Sequence, residues 1–416
     1  MEKIRYFQWL LDGWCVGMVK YHAPRRGSLA FRRKRARRIY PRIFTWPEVD
    51  STRLLGFPAY KVGMLTVKEK NLLVGEKAMW YGLERTVAAT ALEAPPIRIL
   101  GIRVYDVDVY GKRTITELWT PYFSKHEKKY LARKIRLPRG EIGELKRIFE
   151  EKKKKIEELL DQGKVGEIRV IVRTSPELTT IGKKKPELLE IKVGGEVKEA
   201  YRWALENLGK FIRITDVFEP GMFVDIIGVT KGKGFQGVVK RFGVKLLPPK
   251  SKKGIRRLGS LGPWTPGRVM WTVPRAGQMG FFRRTEYNKQ ILAIAPAEYE
   301  ISYNFDSGDA PYILRQREKI TIEVEEEGEK KHKVFDVPAL ALNPSGGWSH
   351  YGVIRNDAVI LRGSCMGPQK RLIILRWPIR AEVLKKPIEL YEFYYGRERI
   401  LDRAGIDLMF TLMTRR

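Results

Sequence analysis

From Gly56 the chain alternates apolar and polar positions in GFPAYKVGMLTV, and again from Arg85 in RTVAATALEAPPIRILGIRVYDV, with β-branched residues between glycine and proline stops. Period-two alternation of this kind predicts strands. The period lengthens in GELKRIFEEKKKKIEELLDQGK, where Leu145, Ile148, Phe149, Ile156, Leu159 and Leu160 fall on one helical face and Lys152 to Lys155 form its solvated side. EIRVIVRT, residues 167–174, predicts a further strand, and Val197, Ala200, Tyr201, Ala204, Leu205 and Leu208 mark a second amphipathic helix. Strands interrupted by two such helices predict a mainly β protein with an α/β insertion.

An apolar run from Met222 to Val229 predicts another strand, after which periodicity fails. Residues 226–285 are rich in glycine and proline and leave little room for a regular helix, so they predict a long excursion from the folded body. Alternation resumes at Ile320, Ile322 and Val324 and runs into EEEGEKKHKVFDV, which predicts a hairpin. Residues 347–380 carry further strands, expected to return to the sheet begun near Gly56.

Charge changes how these segments read. The 416 residues hold 80 Lys+Arg against 48 Asp+Glu, a formal +32, far more than solubility requires. The excess is concentrated. Residues 19–42 contain ten Lys/Arg and no acid, and between Asp225 and Glu286 there are fourteen Lys/Arg and again no acid. Residues 298–336 reverse the balance, with eleven acids against six bases, so the hairpin there is expected to avoid phosphate and face solvent or protein. Bases interleaved with Trp, Phe, Gly and Pro favour a nucleic-acid partner over a membrane, which is usually met by a basic amphipathic helix or a lipid anchor. Asp12 interrupts the apolar start and no cleavage site follows, so a cytoplasmic protein is expected. Cys15 and Cys365, with His22, His126, His332 and His350 scattered, offer neither a disulfide framework nor metal-ligand spacing, and no cofactor is expected.

One motif requires a decision. GVTKGKGFQG places Gly232, Gly234 and Gly237 in the spacing of a dinucleotide-binding loop. That chemistry needs a helix after the third glycine to receive the pyrophosphate, and an acid about 20 residues on for the ribose. VVKRFGVKLLPPKSKKG contains Gly243, Pro248 and Pro249 and predicts no helix, while nothing acidic occurs before Glu286. A Walker loop fails too, since Lys233 is followed by Gly234 rather than Ser or Thr. What remains is a loop whose glycines let backbone approach phosphate while Lys231, Lys233, Lys240 and Arg241 supply charge.

Farther along, Trp264 stands between Pro263 and Pro266 with no apolar periodicity around it. A rigid loop presenting an indole can stack on an RNA base, worth ~1–3 kcal/mol. Phe281 and Phe282, before Arg283 and Arg284, fit a core or an RNA contact equally.

GVTKGKGFQGVVKRFGV, GSLGPWTPGRVMWTVPRAGQMGFFRRTEYNKQI and LRGSCMGPQKRLIILR, together with PRRGSLAF and FPAYKVGM, closely resemble the ribosomal protein L-three family of the large subunit in its archaeal and eukaryotic form. The resemblance implies a translation-protein-type β-barrel with an α/β insertion, a long basic finger and an extended N-terminal arm that run through large-subunit RNA. It implies that Trp264 approaches the A-site side of the peptidyl-transferase centre, that the finger couples tRNA accommodation to the factor-binding region, and that the protein supports early assembly. Lys252 stands where eukaryotic members carry a methylatable histidine, and Gln278 matches a GQMG-like turn that bacterial relatives can methylate. Residues 1–17 and a hairpin near 318–337 look additional to the family pattern, and Met18 fits its usual start.

The expected organisation is an extra segment 1–17, a basic arm 18–50, a β-barrel from 51–100, 190–230 and 286–385, an insertion 101–189, a finger 231–285, an acidic hairpin 298–340 and a C-terminal segment 386–416. The expected RNA contacts are Arg25, Arg26, Arg32, Arg33, Lys34, Arg35, Arg37 and Arg38 on the arm. On the finger they are Lys231, Lys233, Lys240, Arg241, Lys252, Lys253, Arg256, Arg257, Trp264, Arg268, Arg275, Gln278, Arg283 and Arg284. The expected partners are large-subunit (23S-type) ribosomal RNA and neighbouring ribosomal proteins, with no membrane. Two other readings, an RNA-modifying enzyme and a free-standing RNA chaperone, compete. The first would need an acid/base constellation, and the finger has no carboxylate, histidine or cysteine to provide one.

Overall fold

A computed structural model describes residues 26–31, 33–40, 42–131, 142–304, 312–326, 329–381 and 383–414. The chain divides into two compact units, one formed by Ile39–Gly228 and Arg284–Arg416, the other by Met1–Arg38 and Val229–Arg283.

In the larger unit the chain runs β1 (Gly56–Lys70), β2 (Glu84–Glu93), β3 (Ile97–Asp108), β4 (Gly111–Trp119), helices α1 (Lys125–Leu131) and α2 (Ile142–Asp161), then β5 (Glu167–Arg173), β6 (Leu188–Lys192), α3 (Val197–Glu206) and β7 (Phe211–Ile212). β8 (Phe223–Val229) ends this half. In the smaller unit follow β9 (Phe235–Gln236), the short helix α4 (Val238–Phe242) and β10 (Gly277–Gln278). β11 (Arg283–Ala295) re-enters the larger unit. There β12 (Glu298–Tyr303), β13 (Tyr312–Arg317), β14 (Lys319–Glu326), β15 (Glu329–Asp336), α5 (Pro338–Ala341), β16 (Ala358–Arg362), β17 (Leu372–Arg376), β18 (Leu390–Tyr395), β19 (Glu398–Leu401) and α6 (Arg403–Thr414) complete the chain.

Eight strands form the principal sheet in the order β17-β8-β11-β16-β2-β1-β18-β19, and β17 pairs additionally with β1. β17 runs antiparallel to the start of β1, Gly56 opposite Arg376 and Tyr60 opposite Leu372, so the late strands do return to the sheet begun at Gly56. Flanked by β17 and then β2, the first eight residues of β1 are all buried, whereas its last seven alternate, as a strand covered on one face should. The second sheet has the order β4-β3-β5-β6, with β7 beside β3. All seven residues of β5 are buried, and Ile156 and Leu145 of α2 and Ala200, Tyr201 and Ala204 of α3 are buried as well. Ile148 departs from the expected apolar face and is exposed.

Three boundaries differ from expectation. The second sheet continues past residue 189 through β6, α3 and β7, because β6 completes its hydrogen bonding on β5 with Val170 opposite Ile191. The basic arm ends sooner than residue 50, since Ile43 and Trp46 bury themselves in the larger unit's core. Residues 386–416 are part of the fold: β18 pairs with β1, and Ile406 and Met409 of α6 are fully buried. The acidic stretch forms two hairpins, β12–β13 and β14–β15, the second pairing Lys319 with Asp336 through Glu326 with Glu329.

One buried cluster of the larger unit neutralises its own charge. Glu127 and the two arginines Arg98 and Arg173 are essentially inaccessible, with Arg98 Nη1 2.5 Å and Arg173 Nε 2.6 Å from its carboxylate oxygens. Glu127 also accepts from the Ser124 amide at 2.9 Å while Ser124 Oγ accepts from the Glu127 amide at 3.2 Å, a reciprocal cap that starts α1. Burial alone would raise the Glu127 pKa, but the charges of Arg173 and Arg98 outweigh it and hold the group below its ordinary value.

Candidate nucleic-acid interface

The smaller unit is built on different terms. Among its described residues the arm supplies six Lys/Arg and the finger thirteen, with no Asp or Glu. Few side chains are buried, so backbone hydrogen bonds and arginine clips take the place of a large core. The outgoing and returning chains are laced together: Thr230 donates to the Phe282 carbonyl, Lys233 to that of Met279, and Met279 back to that of Gly234, each at 2.9 Å. β9 and β10 pair Phe235 with Gln278.

Glycine is required at two points of this crossing. Gly234 turns the chain at φ +65°, and Gly280, at φ +70°, sits so close to the Lys231 carbonyl that a Cβ would collide with it. Of the three motif glycines only Gly234 has a left-handed backbone, and the tight approach of the two strands is set by Gly280, outside the motif. A helix does follow Gly237, contrary to expectation: α4 runs five residues before Gly243, left-handed at φ +72°, ends it. A single turn accommodates Val238 and Val239, which a longer helix would disfavour. No acid follows to hold a ribose, so the dinucleotide reading fails on that ground.

Arginines staple the unit from within. Arg241 donates through Nε to the Gln278 carbonyl at 3.1 Å and through Nη1 to that of Arg275 at 2.8 Å. Arg33 donates to the Arg26 carbonyl, and Arg257 to that of Lys252 at 2.7 Å. Arg33 and Arg241 both lie over the Phe242 ring, with their guanidinium carbons 4.5 and 5.1 Å from its centre. Partial burial lowers the Arg241 pKa, and the neighbouring Arg33 charge lowers it further. Gln278 is half-buried, its amide donating to the Gly280 carbonyl at 3.0 Å.

Of the expected contact residues, Arg25 and Arg32 lie outside the described residues. All the others except Arg284, which falls in the larger unit on β11, belong to the smaller unit. Arg26, Lys34, Arg35, Arg37 and Arg38 of the arm are exposed, as are Lys231, Lys233, Lys240, Lys252, Lys253, Arg256, Arg257, Arg268, Arg275 and Arg283 of the finger. Trp264 is 95% exposed and so is not a core residue. Phe281 is half-buried beneath Arg35, whose guanidinium carbon is 5.1 Å from its ring centre. Sequence reading passed over Trp271, 66% exposed, and Phe242. Trp271 stands in the same acid-free Gly/Pro/Arg setting as Trp264 and was legible by the same signal, whereas the contacts of Phe242 depend on the arm.

Among the described residues no group of three or more His, Cys, Asp or Glu could hold a metal, and no helix is long and apolar enough to cross a membrane. Comparison with known proteins bears directly on the resemblance. The family model described as Ribosomal protein L3 matches residues 17–311 and 306–395, and the second stretch includes the β14–β15 hairpin. The chain is 45% identical over 371 residues to the large ribosomal subunit protein uL3 of Methanocaldococcus jannaschii, which covers 88% of this chain and 93% of that protein. It is 40% identical to the protein of the same name from Methanothermobacter thermautotrophicus, over 88% of this chain and 94% of that one. With Archaeoglobus fulgidus the identity is again 40%, over 87% and 93%. The chain belongs to the ribosomal protein L3 family, whose members are structural proteins of the large ribosomal subunit rather than enzymes.

Proposed function

We propose that this protein binds large-subunit ribosomal RNA through the arm and finger, supports early subunit assembly, and uses Trp264 to shape the surroundings of the peptidyl-transferase centre, in the cytoplasm and beside other ribosomal proteins. The observation that carries this reading is the unit of residues 26–38 and 229–283: nineteen described cations, no described carboxylate, and an indole 95% exposed. Such a surface repels itself unless a polyanion neutralises it, and the release of counterions from RNA phosphates drives that neutralisation. The larger unit supplies the rigid body. Its ring of pairings, β17-β8-β11-β16-β2-β1 and back to β17, supports a closed barrel of the translation-protein type, with the second sheet as the insertion.

Co-sedimentation tests the reading against a free-standing chaperone. The protein is expected to remain with large subunits through a moderate salt wash, and recovery in the supernatant would sink it. Reversing Arg256 and Arg257 to Glu is expected to lower subunit yield, because each carboxylate adds repulsion to a lost attraction. Normal yield would remove these two from the interface.

A further inference from the structure

The smaller unit contains a groove that the charge of its surface does not by itself explain. It has a volume of about 830 Å³ and is lined by the arm on one side, with Phe31 and Arg33, and on the other by Arg241, Phe242, Trp271 and Arg275. That volume lies within the ~300–1,000 Å³ of small-ligand sites. Trp271 is also part of the wall of a second groove, of about 380 Å³, lined by Gly27 to Ala30 of the arm and by Thr272. Aromatic surface is therefore presented to solvent from two segments: Phe31 is 79% exposed and Trp271 66%.

The cations of the groove are arranged without anions. Arg33 and Arg241 both lie over the Phe242 ring, near enough for the Arg33 charge to act on Arg241, and their hydrogen bonds run to backbone carbonyls of Arg26, Gln278 and Arg275. Carbonyl dipoles orient a guanidinium but do not cancel its charge. No carboxylate occurs among the described residues of this unit, so two like charges are held together with no counter-charge from the unit itself. An occupant that relieves this must be anionic, and one that also covers Phe31 and Trp271 must present a flat apolar face. A nucleotide meets both demands, and only an unpaired one frees its base to stack. A duplex buries both faces of its bases and would leave the aromatic walls uncovered.

We propose that the groove between residues 28–31 with Arg33 and residues 269–277 receives an unpaired nucleotide of single-stranded RNA, its base stacked on Trp271 and its phosphate against Arg33 and Arg241. The inference rests on the RNA-binding reading above and adds where the chain distinguishes an unpaired strand from a helix. Arg33 and Arg241, already clipped to backbone, act as a preset phosphate cradle. Trp271 supplies the plane.

The test uses the full chain, a single-stranded RNA oligonucleotide bearing 5-iodouridine, and a duplex of the same sequence. Irradiation of the single-stranded complex is expected to crosslink Trp271, read by mass spectrometry of the digested protein. Trp271→Leu is expected to weaken single-strand binding about tenfold, as the loss of one stacked base would, and to leave duplex binding unchanged. Trp271→Phe should restore most of the difference. Crosslinks confined to other aromatic residues, with single-strand affinity unchanged in Trp271→Leu, would overturn the inference while leaving RNA binding intact. Equal weakening toward both RNAs would overturn it too, by showing that the indole supports the unit rather than a base. Failure of the wild-type chain to bind either RNA would overturn this inference together with the reading on which it rests.

Discussion

The Ala36 amide donates a 2.9 Å hydrogen bond to the Phe281 carbonyl, and the preceding residue, Arg35, covers the Phe281 ring. This pair joins the arm to the returning limb of the finger, the two segments whose charges most oppose their meeting. Ala36→Pro removes the donor, and one hydrogen bond of this kind contributes about 0.5–1.5 kcal/mol. Amide hydrogen exchange in residues 279–282 is expected to quicken severalfold. Exchange identical to that of the unaltered chain would show that the arm does not hold the finger through this bond.

Gly280→Ala tests the crossing itself. Its left-handed backbone and the Lys231 carbonyl both exclude a Cβ, so the substitution is expected to cost ~1–3 kcal/mol locally and expose the finger's base to limited proteolysis. Gly237→Ala is the control, since a Cβ there meets nothing within 4 Å. Equal proteolysis of the two variants would remove the steric explanation.

Glu127 binds two buried arginines, so its loss leaves both uncompensated. Glu127→Gln is expected to destabilise the larger unit by about 3–5 kcal/mol in chemical denaturation. An unchanged midpoint would mean that the other acceptors, the Gly209 carbonyl of Arg98 and the Glu177 carboxylate of Arg173, suffice alone. The carboxyl pKa is depressed in the folded state. Its stabilisation is therefore complete above the ordinary value of 4.5 and is lost as pH falls through the lower folded value. The unaltered chain should lose stability on acidification through that window more steeply than Glu127→Gln. Parallel pH curves would contradict the assignment.

Trp264→Ala is expected to leave the melting temperature within a degree or so, because an indole 95% exposed contributes little burial. In ribosomes carrying the variant, A-site events or sensitivity to drugs at the peptidyl-transferase centre should change. A large drop in melting temperature would show that the indole packs within the protein after all.

Much of this was legible because it is local. Alternation at Gly56 and in residues 167–174, the helical stripe of α2 and the acid-free run after Asp225 each depend on neighbours within a few residues. The single turn of α4 was missed for a related reason: a five-residue helix between Gly237 and Gly243 carries too few positions for a period to appear. The extent of the second sheet was missed because β6, only five residues long, is assigned by its partner β5 rather than by its own pattern.

The sequence by itself determined the charge division of the chain, the alternation that makes it mainly β, and the exposure of Trp264, since composition and period are carried by the covalent order. Only the tertiary structure decided that Arg33 and Arg241 both lie over Phe242, that Trp271 rather than Trp264 lines a groove with the arm, and that Gly280 rather than the G-x-G-x-x-G motif alone sets the approach of the finger's two limbs. Those are distances between residues far apart in the chain. They follow from which backbone groups must find hydrogen-bond partners and which side chains fit once they have.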